Sequence, residues 1–256
     1  MVPPLSPIIA RLRAVGCVFA EDEARLLVDA AGSPAELAAM VGRRVEGLPL
    51  EHVLGWAEFC GLRVLVDPGV FVPRRRTEFL ARQAVSLARS GSVVVDLCCG
   101  SGAVGAVLAS LVEGIDLSSA DIDPAAVRCA RRNLPGDQVY EGDLYAPLPL
   151  GLRGRIDVLV ANTPYVPTGA IGTMPPEARE HEPLVALDGG GDGLDVQRRV
   201  AADAPKWLAP GGHLLVETSE RQAPHAAEVF ARSGLEPRVM SSGELDATVV
   251  IGAKPV

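Results

Sequence analysis

Apolar residues recur at helical spacing through residues 5–48. PIIARLRAV carries them on one side, and EDEARLLVDAA continues with Leu26, Leu27 and Ala30. Ser33-Pro34 reads as an N-cap followed by proline at the first helical position, opening SPAELAAMVGRR. Three or so short helices in a small bundle are therefore predicted. Between 52 and 72 the pattern shortens to extended, partly alternating runs around Gly61 and around Asp67-Pro68-Gly69, which predicts hairpin strands. From residue 78 onward, apolar runs at Ser92–Leu97, Asp116–Ile122, Gln138–Glu141, Asp157–Ala161 and Gly212–Thr218 alternate with helical patterns at 78–90, 103–112, 124–133, 193–207 and 221–233. Buried strands alternating with helices predict an α/β fold with a doubly wound, mostly parallel sheet. Leu235–Gly252 holds two more strand patterns with no helix between them, which suits an antiparallel pair at a sheet edge.

Composition narrows the function classes. The 256 residues are 48% hydrophobic, enough for one large domain and a small appended one. The net charge of −8 argues against a general affinity for duplex DNA or anionic membranes. No apolar run is long enough to span a bilayer. The N-terminal stretch lacks a basic leader and carries arginines within its apolar part, so a cytoplasmic location is the expectation. Five cysteines (Cys17, Cys60, Cys98, Cys99, Cys129) without framework spacing read as free thiols. The four histidines have no ligand spacing, and no metal site is predicted.

The candidate chemistry lies at the carboxyl ends of the predicted strands, where open α/β sheets bind ligands. The first strand runs into Asp96-Leu97-Cys98-Cys99-Gly100-Ser101-Gly102 before a helix. Gly100 to Gly105 matches the dinucleotide fingerprint G-x-G-x-x-G, so a dehydrogenase is one reading. The carboxylate of Asp96 ahead of the loop would repel a pyrophosphate and suits a cationic methionine tail. The second strand ends at Asp121-Ile122-Asp123-Pro124. There Asp121 could accept both hydroxyls of a ribose, while Asp123 suits an N-cap. The third ends at Gly142-Asp143-Leu144, where Asp143 could take an adenine amino group and Leu144 could pack on the ring.

The fourth strand is followed by Asn162-Thr163-Pro164-Tyr165. An amide nitrogen is a poor nucleophile because its lone pair is delocalised. Two acceptors on its NH₂ protons, the Asn162 side-chain oxygen and the Thr163 carbonyl, would aim it at a methyl sulfonium. Tyr165 would pack on the flat group, and Pro164 holds Thr163 extended.

This tetrapeptide resembles the Asn-Pro-Pro-Tyr motif of methyltransferases that act on planar nitrogens, among them the adenine-N6 enzymes and the HemK-type protein-(glutamine-N5) methyltransferases. More of the chain resembles the second family. Phe59-Cys60-Gly61-Leu62, Val66-Asp67-Pro68-Gly69-Val70, Pro73-Arg74 and Thr77-Glu78 are similar to its linker segment. Pro175-Pro176-Glu177, Glu182 to Gly190 and Asp192-Gly193-Leu194 are similar to its segment after the tetrapeptide. The likeness covers roughly residues 50 to 220.

The resemblance implies a seven-stranded S-adenosylmethionine-dependent methyltransferase sheet at 77–256, a β-hairpin linker at 51–76 and a helical substrate-binding domain at 1–50. It implies S-adenosyl-L-methionine as cofactor, held by Asp96, Cys98, Cys99, Gly100, Ser101, Gly102, Asp121, Ile122, Asp143 and Leu144, with S-adenosyl-L-homocysteine as product. Asn162 to Tyr165 would bind a glutamine, and Pro73, Arg74 and Glu78 would lie on the substrate side. The family's substrate is the glutamine of a Gly-Gly-Gln loop in peptide chain release factors, which implies a protein partner, no direct nucleic acid, and a monomer. An adenine-N6 methyltransferase and a non-catalytic cofactor-binding protein stay open as alternatives. Three departures stand out: Cys98 replaces a glycine, Thr163 replaces the first proline, and Arg75-Arg76 replace Pro-Glu, which reverses a charge near the expected substrate entrance.

Overall fold

A computed structural model describes residues 5–136 and 138–256. Residues 1–4, the start of the segment read above against a secretory leader, lie outside the described residues. Four helices come first: α1 (Leu5–Ala14), α2 (Ala20–Ala30), α3 (Pro34–Val45) and α4 (Leu50–Leu54). Ser33 caps α3 as expected, its Oγ accepting from Glu36 N at 3.2 Å, and the Glu36 carboxylate reaches back to Gly32 N at 2.8 Å. Leu12, Leu27, Leu37, Met40, Val41 and Val53 form the core of this bundle. Arg44, buried at the end of α3, donates to Glu23 of α2 at 2.6 Å and to Glu177 at 2.6 Å.

The hairpin pairs β1 (Trp56–Phe59) with β2 (Leu62–Leu65). Its two-residue turn, Cys60 (φ 49°) and Gly61 (φ 77°), needs left-handed backbone at both positions, a demand that glycine meets and cysteine tolerates at some cost. The second predicted hairpin, around Asp67-Pro68-Gly69, does not form. A turn closes there, with Val70 N donating to Asp67 O at 3.0 Å. The following stretch finds no strand partner, because Val66, Val70 and Val72 bury against Cys129 and Val72 N donates to the Glu182 carboxylate at 3.1 Å.

The remainder alternates: α5 (Thr77–Leu87), β3 (Val93–Leu97), α6 (Ala103–Leu111), β4 (Asp116–Asp121), α7 (Pro124–Asn133), β5 (Val139–Glu141), β6 (Ile156–Ala161), α8 (Pro176–His181), α9 (Asp195–Trp207), β7 (Leu208–Thr218), α10 (Ala223–Arg232), β8 (Glu236–Ser242) and β9 (Ala247–Ala253). The sheet order is β5-β4-β3-β6-β7-β9-β8, with β9 antiparallel to both of its neighbours and the other pairings parallel. The seven-stranded, mostly parallel, doubly wound sheet and its terminal antiparallel pair are as expected. Alternate residues of β6 serve opposite faces: Val158 and Val160 join the core with Phe59, Leu80 and Leu108, while Leu159 and Ala161 join that of Trp207 and Phe230.

Besides the hairpin that does not form, three elements differ from the sequence reading, the first being α4, a helical turn at Leu50–Leu54 beyond the stretch read as helical. β7 starts at Leu208, four residues early, because the bulge through Ala209–Gly212 still pairs Leu208 with Ile156 before the register resumes at His213 and Val158. Helix α8 was not foreseen; its residues form a short element tied to the bundle by Glu177. No helix among the described residues is long and apolar enough to cross a membrane.

Arg44 thus joins the bundle to the segment after β6. Arg44→Ala leaves Glu23 without a cation at a site where its side chain is only 13% exposed. A loss of about 3 kcal/mol in urea unfolding is expected, with partial recovery in Arg44→Lys, which keeps the charge and loses the fork. A loss below about 0.5 kcal/mol would show that these pairs behave as solvent-screened surface bridges.

Candidate active site

The loop after β3 and the ends of β4 and β6 enclose a cavity of about 220 Å³. Ten of the expected residues lie on its wall: Asp96, Cys98, Cys99, Gly100, Ser101 and Asp121 with Asn162, Thr163, Pro164 and Tyr165. Ile122, Pro73 and Arg74 line it as well.

Asp96 is 1% exposed, and its Oδ2 accepts from Gly105 N at 3.1 Å. Burial pushes its carboxyl up to about 7 against that single hydrogen bond, and neighbouring Asp121 adds to the rise. Asp121 is held by Gly100 N at 2.8 Å and Asp123 N at 2.9 Å, and burial raises it too. Asp123 caps α7 through Ala125 N at 2.8 Å, as its sequence position suggested. No salt bridge among the described residues involves either Asp96 or Asp121, so neither carboxyl has a cationic partner when it ionises. Such a site fits a cation and a diol and opposes a pyrophosphate, which removes the dehydrogenase reading. Cys98 takes a left-handed φ of 54°, at a position where the resembled family has glycine; such strain costs on the order of 1 kcal/mol and is stored at the cavity wall.

Four expected residues lie elsewhere. Gly102 faces away from the cavity, against Leu134 and Ala130. Asp143 pairs with Arg199 of α9 at 2.5 Å, and with Leu144 it lines a separate depression beside Trp207. Glu78 is engaged by the hairpin and by its own helix, accepting from Cys60 N at 3.3 Å and Arg82 at 2.9 Å.

The tetrapeptide at the end of β6 is set by its neighbours. The segment 187–190 runs beside it: Val166 N donates to Leu187 O at 3.1 Å, and Gly189 N donates to Val166 O at 2.8 Å. A side chain at Gly189 would sit 2.7 Å from the Pro164 carbonyl, and one at Gly193 would overlap the Tyr165 carbonyl. Gln222 Nε2 donates to that same Tyr165 carbonyl at 3.0 Å. The side-chain oxygen of Asn162 is buried without a hydrogen-bond partner, and so is the Thr163 hydroxyl. A buried acceptor left open in this way is costly unless a ligand supplies its donor.

Sequence reasoning missed Glu217. It lies near the end of β7, is 1% exposed, and accepts from the Tyr165 hydroxyl at 2.9 Å. Burial raises its carboxyl and, together with Glu217, keeps the Tyr165 phenol protonated. The available signal was a carboxylate directly after the apolar run Leu214-Leu215-Val216.

Fold and site together define a methyltransferase of the S-adenosylmethionine-dependent class. Residues 61–174 match the family model described as the methyltransferase small domain. A release factor glutamine methyltransferase from Geobacter sulfurreducens is 40% identical over 209 residues, covering 79% of this chain and 72% of its own. The chain belongs to the release factor glutamine methyltransferase family. Within reach of the same similarity is a 4-amino-L-phenylalanine/4-methylamino-L-phenylalanine methyltransferase from Streptomyces pristinaespiralis, 38% identical over 76% of this chain and 69% of its own. In fold the chain is similar to a 16S rRNA N2 G1207 methyltransferase of T. thermophilus solved with AdoMet and guanosine (TM-score 0.56, 20% identity, 78% of this chain and 49% of that one).

Asp96 gives a pH test. A cation binds the ionised carboxylate, so protonation competes with it. S-adenosylmethionine affinity measured by calorimetry should weaken as pH falls through about 7, by up to tenfold per pH unit once Asp96 is mostly protonated. Asp96→Asn should flatten that dependence. An unchanged pH profile in the variant would remove Asp96 from cation binding.

Proposed function

We propose that the chain transfers a methyl group from S-adenosylmethionine to the side-chain amide nitrogen of a glutamine in a protein substrate, the substrate class being the release factors for which its relatives are named. The observation that carries this reading is the open, buried oxygen of Asn162 at the carboxyl end of β6. It is an acceptor waiting for an N–H donor.

S-adenosylmethionine, when bound, supplies an electrophilic methyl group and leaves as S-adenosylhomocysteine. The protein's contribution is orientation. Asn162 Oδ1 accepts one N–H of the substrate amide and the Thr163 carbonyl accepts the other, which turns the nitrogen lone pair toward the methyl donor. Proline at the first motif position is not needed for this, because the carbonyl is the same with Thr163. Tyr165 offers its ring to the flat amide while Glu217 holds its hydroxyl. Asp96 and Asp121 supply the negative end for the cationic tail and the ribose. No residue at the cavity acts as a strong base: the nitrogen becomes acidic only once it is alkylated, and its proton then passes to solvent.

A protein substrate suits the helical bundle of residues 5–54, whose α1–α2 corner exposes Val18 (82%) and Phe19 (69%). One observation favours a second reading, methylation of the ring amino group of an aromatic amino acid: the Streptomyces relative, nearly as similar, is named for that reaction. Both are planar nitrogens, and Asn162 would serve either.

The test is methyl transfer from labelled S-adenosylmethionine to release factors, with the modified residue mapped by mass spectrometry. Label on a glutamine supports the proposal; label absent from release factors and present on an aromatic amino acid supports the second reading. Asn162→Ala should lower kcat about 10²- to 10³-fold, as loss of one transition-state hydrogen-bonding group does elsewhere. Cofactor affinity should change less than about threefold, a small effect on the scale of tenfold per 1.4 kcal/mol. Parallel loss of cofactor binding would make Asn162 a structural residue instead.

A further inference from the structure

Three arginines stand in a row before α5, and they meet different fates. Arg74 is committed to a partner of its own: it pairs with the buried Glu182 at 2.6 Å, and its guanidinium lies over the Phe71 ring. Arg75 turns to the other side and lines a depression with Glu58 and Glu78. Arg76 lines the reaction cavity together with Asn162 and Tyr165. Its neighbours Arg74 and Arg82 are each ion-paired, whereas no ion pair to Arg76 forms among the described residues. It lies within reach of the Tyr165 hydroxyl and its charge acts on Tyr165 and Glu217, but it forms no ion pair with Glu217, which accepts from that hydroxyl.

The cavity is therefore polarised. Asp96 and Asp121 make one part negative, and Arg76 makes another positive. The wall that Arg76 shares also includes Met174, Val185 and Leu187, so the charge is set among apolar side chains at the rim of the cavity. A guanidinium exposed at the cavity wall beside Tyr165, with no ion-pair partner among the described residues, presents a planar fork that matches a carboxylate.

We propose that Arg76 binds a carboxylate that the substrate carries near the nitrogen to be methylated, and so selects acidic substrates. The inference rests on reading Asn162–Tyr165 as the nitrogen-binding site. The carboxylate has two possible sources: an aspartate or glutamate beside the glutamine of a peptide, or the α-carboxylate of a free amino acid.

The experiment uses the full chain and its Arg76→Gln and Arg76→Glu variants. One arm offers peptides with a single glutamine flanked by glutamate, alanine or lysine. The other offers an aryl-amine amino acid and its methyl ester. Both kcat/KM and binding by calorimetry are measured, with S-adenosylmethionine affinity alongside. The wild type should favour the glutamate peptide over the lysine peptide, or the acid over the ester, by about tenfold or more, the size of a charge-assisted hydrogen bond. Arg76→Gln should erase the preference and Arg76→Glu should reverse it, with cofactor affinity changed less than about threefold. An unaltered preference in Arg76→Gln, or none in the wild type, overturns the proposal. So does a tenfold loss of S-adenosylmethionine affinity in Arg76→Gln, which would assign the guanidinium to the methionine carboxylate. Charge-dependent binding that follows Arg76 without any methyl transfer would support the role of Arg76 and count against the proposed reaction.

Discussion

The close approach of segment 187–193 to the end of β6 is the constraint on which the site depends. Backbone hydrogen bonds between Val166, Leu187 and Gly189, with the Gln222 amide on the Tyr165 carbonyl, hold four residues in one conformation. Glycine at 189 and 193 permits that approach, since a side chain at either place would run into the carbonyls of Pro164 and Tyr165. At the head of this strapped segment the Asn162 side-chain oxygen is buried and open. A mobile loop could turn such an oxygen to water; a strapped one cannot. On the proposed reading, this unsatisfied acceptor is what would orient a poor nucleophile.

Electrostatics divides the labour across the same cavity. Two carboxylates desolvated at the ends of β3 and β4 are costly until a cation arrives, so binding and charge compensation are coupled. At Tyr165 the phenol donates to one oxygen of the Glu217 carboxyl, which holds the ring in place, while the second oxygen is buried without a partner. On the proposed reading, catalysis in this arrangement would come from placement and field, with no strong base required.

The architecture was readable because the central strands β3 and β6 are mostly apolar runs, and the ends of β3 to β6 are punctuated by Asp, Gly or Asn. Asp96, Asp121 and Asn162 could be placed by that punctuation alone. What escaped reading depends on partners distant in the chain. Asp143 ends its strand as expected, but Arg199, 56 positions later, takes its carboxylate. Glu78 belongs to the hairpin because Cys60 N reaches it. The stretch after Asp67-Pro68-Gly69 has strand composition and no strand, because Glu182, 110 positions away from Val72, takes its backbone donor. Glu217 was hidden by the strand that carries it, and only the packing of β7 beside β6 sets it against Tyr165. The bulge through Ala209–Gly212 concealed the start of β7 for a related reason: its proline and glycines read as a turn, while the sheet carries the chain through them.

The most direct measurement of the central claim compares two peptides that differ only in having glutamine or methionine at one position, side chains of similar length of which only the first donates N–H. Their affinities would be measured by calorimetry for the protein and for Asn162→Ala, with S-adenosylhomocysteine present. If the Asn162 oxygen is the acceptor for the substrate amide, glutamine should bind about tenfold or more tightly than methionine in the wild type, and the difference should vanish in the variant. An equal preference for glutamine in both proteins would contradict the account and place amide recognition on other residues.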